Sequence, residues 1–102
     1  MIGPFEELVL LALINAKNEL TIAEIYEVLV DKMKRVSFGA IYTTIDRMGE
    51  KKFISRRKGA PLPERGGKAR YYYKITNAGR AALIERQQTA AWLADSLSVV
   101  RG

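Results

Sequence analysis

One segment breaks with everything around it. From about Phe53 to Thr76 the helical spacing of apolar residues gives way to alternation. Tyr71, Tyr73 and Ile75 fall on one face, and Arg70, Tyr72 and Lys74 on the other. Phe53-Ile54-Ser55-Arg56-Arg57 reads as the partner strand. Between the two runs lie Gly59, Pro61, Pro63 and then Arg65-Gly66-Gly67-Lys68. The prolines cannot occupy a central strand, and the glycines loosen the tip. The segment predicts a long basic hairpin loop over Lys58 to Ala69. A two-stranded hairpin is barely stable alone, so Ile54, Tyr73 and Ile75 must pack on whatever the rest of the chain builds.

The rest reads as helices. Pro4 suits a first helical turn, where its missing N–H would be unpaired anyway. From Pro4 to about Lys17 the chain is apolar nearly all round. A helix without a polar face is buried on more than one side, which in so small a chain implies a second subunit as well as its own core. Thr21 and Glu24 make a capping-box pair that opens a second helix, running to about Met33. Its apolar face is Ile22, Ile25, Tyr26, Leu29 and Met33. After a short connection, Ser37 is placed to cap a third helix. Phe38, Ile41, Ile45 and Met48 mark its core face. The opposite face presents Gly39, Ala40, Thr43, Asp46, Arg47 and Glu50, with Tyr42 on the flank. Thr76 can cap a last helix to about Val99. One apolar stripe of that helix runs through Leu83, Ala90, Leu93, Leu97 and Val100; Ala81, Ile84, Ala91 and Trp92 lie around another side. A helix apolar on two sides at the end of a small domain docks on a second copy.

Two helices joined by a tight connection and followed by a basic hairpin describe a winged helix-turn-helix. The expected fold is mainly α with a small β-hairpin. Residues 1–76 form the winged helix DNA-binding domain, and 77–102 a C-terminal dimerisation helix packed on the same domain. At 102 residues one core suffices, without a disulfide or metal.

Charge and composition narrow the function. From Arg47 to Arg80 there are eleven Lys or Arg and two acids, a net of +9; the remainder nets −3. One third of the chain holds all the excess positive charge, the footprint of a polyanion partner. Histidine and cysteine are absent, so thiol nucleophiles, Ser-His-Asp triads and the common zinc sites are excluded. No carboxylate pair or activated Lys or Ser stands in a pocket-forming context, and no metal or cofactor is expected. The longest apolar run, Leu8 to Ile14, is too short to span a membrane. No basic flank precedes it, so a cytoplasmic protein is expected.

Three stretches resemble a known family. Ser37-Phe38-Gly39-Ala40-Ile41-Tyr42-Thr43-Thr44-Ile45-Asp46-Arg47-Met48 is similar to the recognition helix of PadR-type transcriptional regulators. Tyr72-Tyr73-Lys74-Ile75-Thr76-Asn77-Ala78-Gly79-Arg80 resembles the second wing strand running into the last helix, and Glu7 to Ile14 resembles the family's first helix. The likeness covers nearly the whole chain. It implies a homodimeric winged-helix repressor of the short form, its dimer made by the C-terminal helix. One position departs: Lys52 stands where the family has glycine at the end of the third helix. Either Lys52 adopts a left-handed backbone, at about 1 kcal/mol, or the helix ends differently.

These readings name a site. Ser37 and the helix N-terminus favour a phosphate. Gly39 lets the helix approach base edges. Tyr42 reaches the backbone, or else closes the core edge against the first helix. Thr43 can donate, accept or touch a thymine methyl, and Arg47 can reach guanine or phosphate. In the wing, Arg65, Lys68 and Arg70 lie along the DNA backbone or enter the minor groove. Leu10, Leu93 and Leu97 are expected at a homodimer interface. Trp92, among small neighbours, either lines an apolar cavity for a planar aromatic ligand near the dimer axis or packs against the first helix near Phe5 and Leu8. The expected partners are double-stranded DNA and a second copy. The alternative is a winged-helix module that binds protein and not DNA, for which a net of +9 over 34 residues has no use.

Overall fold

A computed structural model of the chain describes residues 2–16, 19–32, 35–61 and 69–101, the side chains of 60, 61, 69 and 98–101 apart. Helices α1 (Pro4–Asn15), α2 (Ile22–Lys32) and α3 (Phe38–Glu50) come first. Strands β1 (Ile54–Pro61) and β2 (Ala69–Ile75) follow, and helix α4 (Asn77–Arg101) ends the chain.

The local signals act where they stand in the sequence. Pro4 opens α1, and the Glu6 carboxylate reaches back to accept the Gly3 N–H at 2.9 Å. Thr21 and Glu24 satisfy each other's backbone N–H groups at 2.9 and 3.2 Å. Ser37 Oγ accepts the Ala40 N–H at 3.1 Å. Each bond satisfies a donor that the first turn leaves orphaned. Lys17 and Met33, the expected ends of the first two helices, lie outside the described residues.

At the end of α3, Lys52 takes a left-handed backbone, φ 64°. The Phe53 N–H then bonds the Met48 carbonyl at 2.9 Å and the Lys52 N–H bonds that of Gly49 at 3.1 Å. This double closure ordinarily uses glycine. Here the turn is kept and lysine carries the strain.

The hairpin is antiparallel, with Ile54 opposite Ile75 and Arg56 opposite Tyr73. The expected first strand ended at Arg57; the observed one continues to Pro61, paired with Ala69 past an irregularity after Lys58. Strand β1 is an edge strand, where a proline without an N–H is tolerated. A third element was not foreseen. Leu20 and Tyr73 exchange both backbone bonds, at 2.8 and 2.9 Å, so the α1–α2 connection runs as a one-residue strand beside β2.

The core gathers Val9, Leu10, Ile25, Ile41 and Met48 from the helices with Tyr73 from the hairpin. Leu83 anchors the start of α4 to it. Two expectations change. Leu10 is completely buried within its own chain, so it has no surface to give a second copy. Phe38, expected on the core face of α3, is 46% exposed and stacks on Tyr26 instead, with ring centroids 4.2 Å apart and planes 7° from parallel. Thr44 takes a place in the buried face of α3 beside Ile41, Ile45 and Met48.

The joint between α3, the hairpin and α4 is tight. Thr76 Oγ1 accepts the Gly79 N–H at 3.0 Å, capping α4, and donates to the Lys52 carbonyl at 2.7 Å. The Thr76 N–H bonds the Phe53 carbonyl at 3.0 Å. One threonine therefore ties the end of the third helix to the start of the fourth. Among the described residues, no helix is long and apolar enough to cross a membrane.

Candidate nucleic-acid interface

The exposed side of α3 is poor in bulk. Gly39, Ala40, Thr43, Asp46, Arg47 and Glu50 are all exposed. A Cβ added at Gly39 would meet only Ser37 Oγ, 4.0 Å away, so the backbone there is open to close approach. Tyr42 is 54% exposed, which excludes the reading in which it closes the core edge. The Thr43 hydroxyl donates to the Gly39 carbonyl at 3.0 Å. Its donor is spent within the helix, leaving acceptor capacity and a methyl group to present outward.

Three parts of the molecule meet beside this face. A cleft of about 650 Å³ is lined by Thr21 and Glu24 at the start of α2, Tyr42 and Asp46 on α3, and Arg56 and Arg70 on the hairpin. Arg70 thus shares a surface with Tyr42. Arg65 and Lys68 lie outside the described residues. Arg56 was missed as a site residue. Its guanidinium sits 4.4 Å from the Tyr71 ring centroid, a cation–π contact that holds it by the cleft. Its signal in the sequence was parity: two residues from Ile54, it shares that residue's face of the strand.

The neighbouring arginine goes the other way. Arg57 Nε reaches the Glu19 carboxylate at 2.7 and 2.8 Å, and its guanidinium lies 4.6 Å from the Tyr72 ring centroid. The basic excess is therefore divided between the two faces of the hairpin.

Arg47 stands near the far end of α3 from Ser37, and its charge reaches Glu6 on α1. Lys51 Nζ bonds the same carboxylate at 3.1 Å. Burial pushes the Glu6 carboxyl up, but the Gly3 N–H, the Lys51 ammonium and the Arg47 charge outweigh it and hold the group below its ordinary value. Across the molecule, Arg86 on α4 lies 3.1 Å from the Glu7 carboxylate and donates to the Ile2 carbonyl at 3.1 Å, pinning the chain's start to α4.

Beyond that anchor α4 stands clear of the core, with Leu93 and Leu97 exposed. Trp92 is 65% exposed, so it does not pack into the core beside Phe5 and Leu8. The cavity next to it, about 220 Å³, is lined by residues such as Ile2, Arg86, Thr89 and Leu93 and not by Trp92.

Comparison with known proteins places this architecture. The model of the transcriptional regulator PadR-like family matches residues 10–85. None of the curated proteins compared with the chain matches it. Among solved structures, a PadR family transcription regulator from hypervirulent Clostridium difficile R20291 is 22% identical over 98% of this chain and 100% of that one, with a TM-score of 0.77. A PadR-like transcription factor from Bacteroides fragilis is 22% identical over 94% of this chain and 88% of its own, with a TM-score of 0.78. A PadR-like transcriptional regulator from Bacillus cereus strain ATCC 14579 is 27% identical over 94% and 89%, with a TM-score of 0.71. The family model spans most of the chain, from the middle of α1 through the whole winged helix into α4, and on that match the chain belongs to the PadR-like family of transcriptional regulators.

Proposed function

We propose that the chain is a sequence-specific DNA-binding repressor that acts as a homodimer on a pseudo-palindromic site. The observation that carries this is the convergence of the low-relief face of α3 with Arg56, Arg70 and the start of α2 on one cleft. A recognition helix needs small residues to approach base edges, and flanking cations and helix starts to hold phosphates. Ser37 and Tyr42 hold the backbone, Thr43 faces bases, and Arg65, Lys68 and Arg70 follow the backbone or the minor groove. Arg47 serves phosphate from the α1 side. A protein-only module fits less well, because a net charge of +9 over residues 47–80 has no use in one.

The dimer is built on α4, where Trp92, Leu93 and Leu97 are exposed on a helix that outruns the core. A two-fold pair sets the reading helices about 34 Å apart, one turn of DNA. A planar aromatic effector beside Trp92 belongs to this reading as a site formed only between two copies, and the setting of action is the cytoplasm.

The test is a salt titration on duplexes selected from a random pool. Log affinity should fall linearly with log salt, and removing Arg65 and Lys68 from both copies should flatten the slope by about 3.6, or about 0.9 for each of four lost phosphate contacts. An unchanged slope would take the wing off the DNA. Failure to select any duplex at all would favour the protein-binding module.

A further inference from the structure

The far side of the hairpin plays no part in the DNA-binding reading. Arg57 and Tyr72 pair across the two strands, and Lys74 follows on the same face, away from Arg56 and Tyr73. This face meets the end of α1 and the start of α4 around another cleft, of about 560 Å³. Leu13, Glu19, Arg57, Tyr72, Lys74 and Arg80 are among the residues that line it. It shares no residue with the cleft beside α3.

The charges of this cleft do not balance. Arg57, Lys74 and Arg80 face one acid, Glu19, which leaves a net of +2. Glu19 is already engaged, since Arg57 Nε donates to its two oxygens at 2.7 and 2.8 Å. Among the described residues, Lys74 and Arg80 have no acidic partner, and the terminal nitrogens of Arg57 have no hydrogen-bond partner. Leu13 and Ile75, both buried, give the cleft an apolar backing. Such walls focus the field of a cleft dominated by one sign and concentrate counter-ions in it. Lys and Arg offer donors only, so the fitting ligand is rich in acceptors and carries at least two negative charges. Phosphate groups meet both demands and match the arginine fork. The volume lies in the range of small-molecule sites.

We propose that the cleft behind the hairpin binds a phosphate-bearing ligand, gripped by Lys74, Arg80 and the terminal nitrogens of Arg57. The site does not rest on the DNA-binding reading. Its phosphates belong either to a small molecule or to a nucleic-acid backbone, and the experiment separates the two sources. Inorganic pyrophosphate is titrated into the full-length protein without DNA, and binding is followed by calorimetry. Saturable binding is expected, weakened about tenfold in Lys74→Gln and in Arg80→Gln, the worth of one charge-assisted hydrogen bond. Glu19→Gln should tighten it by removing the competing carboxylate. Arg35→Gln removes the same charge from an exposed position outside the cleft and should leave the affinity unchanged. The Lys74 and Arg80 variants are then carried through the salt titration on selected duplexes. Pyrophosphate binding with an unchanged salt slope assigns the site to a small molecule. A flatter slope without pyrophosphate binding assigns it to the DNA backbone, and both responses together mean that the two sources share it. Neither response would overturn the site. So would an equal loss in Arg35→Gln, which would reduce the attraction to net charge. If no duplex is selected, the DNA-binding reading falls and the pyrophosphate titration alone decides the site.

Discussion

Replacing Gly79 with alanine sets two effects of opposite sign against each other. Gly79 lies in the first turn of α4, where alanine's higher helix propensity gains at most about 1 kcal/mol. Against that, the added Cβ would press into the Phe53 carbonyl oxygen, and would stand 2.9 Å from Ile75 Cγ1 and 3.0 Å from the Phe53 carbonyl carbon. Two of the three obstacles are backbone atoms, which cannot rotate away. The remaining relief is for α4 to shift off the α3–β1 turn. That shift loosens the Thr76 N–H to Phe53 bond at 3.0 Å and the Thr76 hydroxyl to Lys52 bond at 2.7 Å. Overpacking costs about 1–3 kcal/mol and each weakened hydrogen bond up to about 1 kcal/mol. We expect net destabilisation of about 2 kcal/mol, which in a domain of this size lowers Tm by about 8–16 °C. Thermal melts followed by circular dichroism at fixed protein concentration measure this, since association would raise Tm with concentration. Gly49→Ala is the matched control: its Cβ would meet nothing within 4 Å, so propensity alone should leave Tm unchanged or a few degrees higher. A Gly79→Ala protein that melts at or above the wild type would refute the reasoning, because the Phe53 carbonyl would then not be a barrier.

Other substitutions probe single features. Lys52→Gly should stabilise by about 0.5–1 kcal/mol, since it relieves the left-handed backbone at φ 64° without removing a described core contact; a lower denaturant midpoint would contradict the strain. Ser37→Ala should cost about 1 kcal/mol by orphaning the Ala40 N–H, read as a lower urea midpoint at unchanged slope. Because the Glu6 carboxyl titrates below its unfolded value, its contribution is complete at neutral pH and is lost as pH falls from about 4.3 through the folded value. Glu6→Gln should therefore shallow the acid limb of a stability–pH curve, and an identical limb in the two proteins would show the Gly3 and Lys51 contacts to be without consequence.

The features readable from the sequence alone act within a few residues. Ser37 with Ala40, Thr21 with Glu24, and Thr76 with Gly79 all close over three positions. A cap depends on local backbone geometry and is indifferent to the rest of the fold. The alternation of Tyr73 and Ile75 with Tyr72 and Lys74 likewise settles which face of β2 is buried, because a strand has only two; Tyr71, nearer the tip, stays exposed. The low relief of the outer face of α3 and the uneven charge were visible for the same reason: side-chain size and sign need no coordinates. Tertiary structure decided what depends on elements meeting. Phe38 turned outward because Tyr26, twelve residues earlier, offered its ring as a platform. Leu20 became a strand residue only once Tyr73 lay beside it. Arg57 and Arg56 look alike in the chain, yet one is held by Glu19 and the other lines the cleft with Arg70. Leu10 and Leu93 are equally apolar, but the globule closes over the first while α4 carries the second beyond its reach. In each case the pattern specified a preference for contact, and the partner was fixed by how distant segments packed.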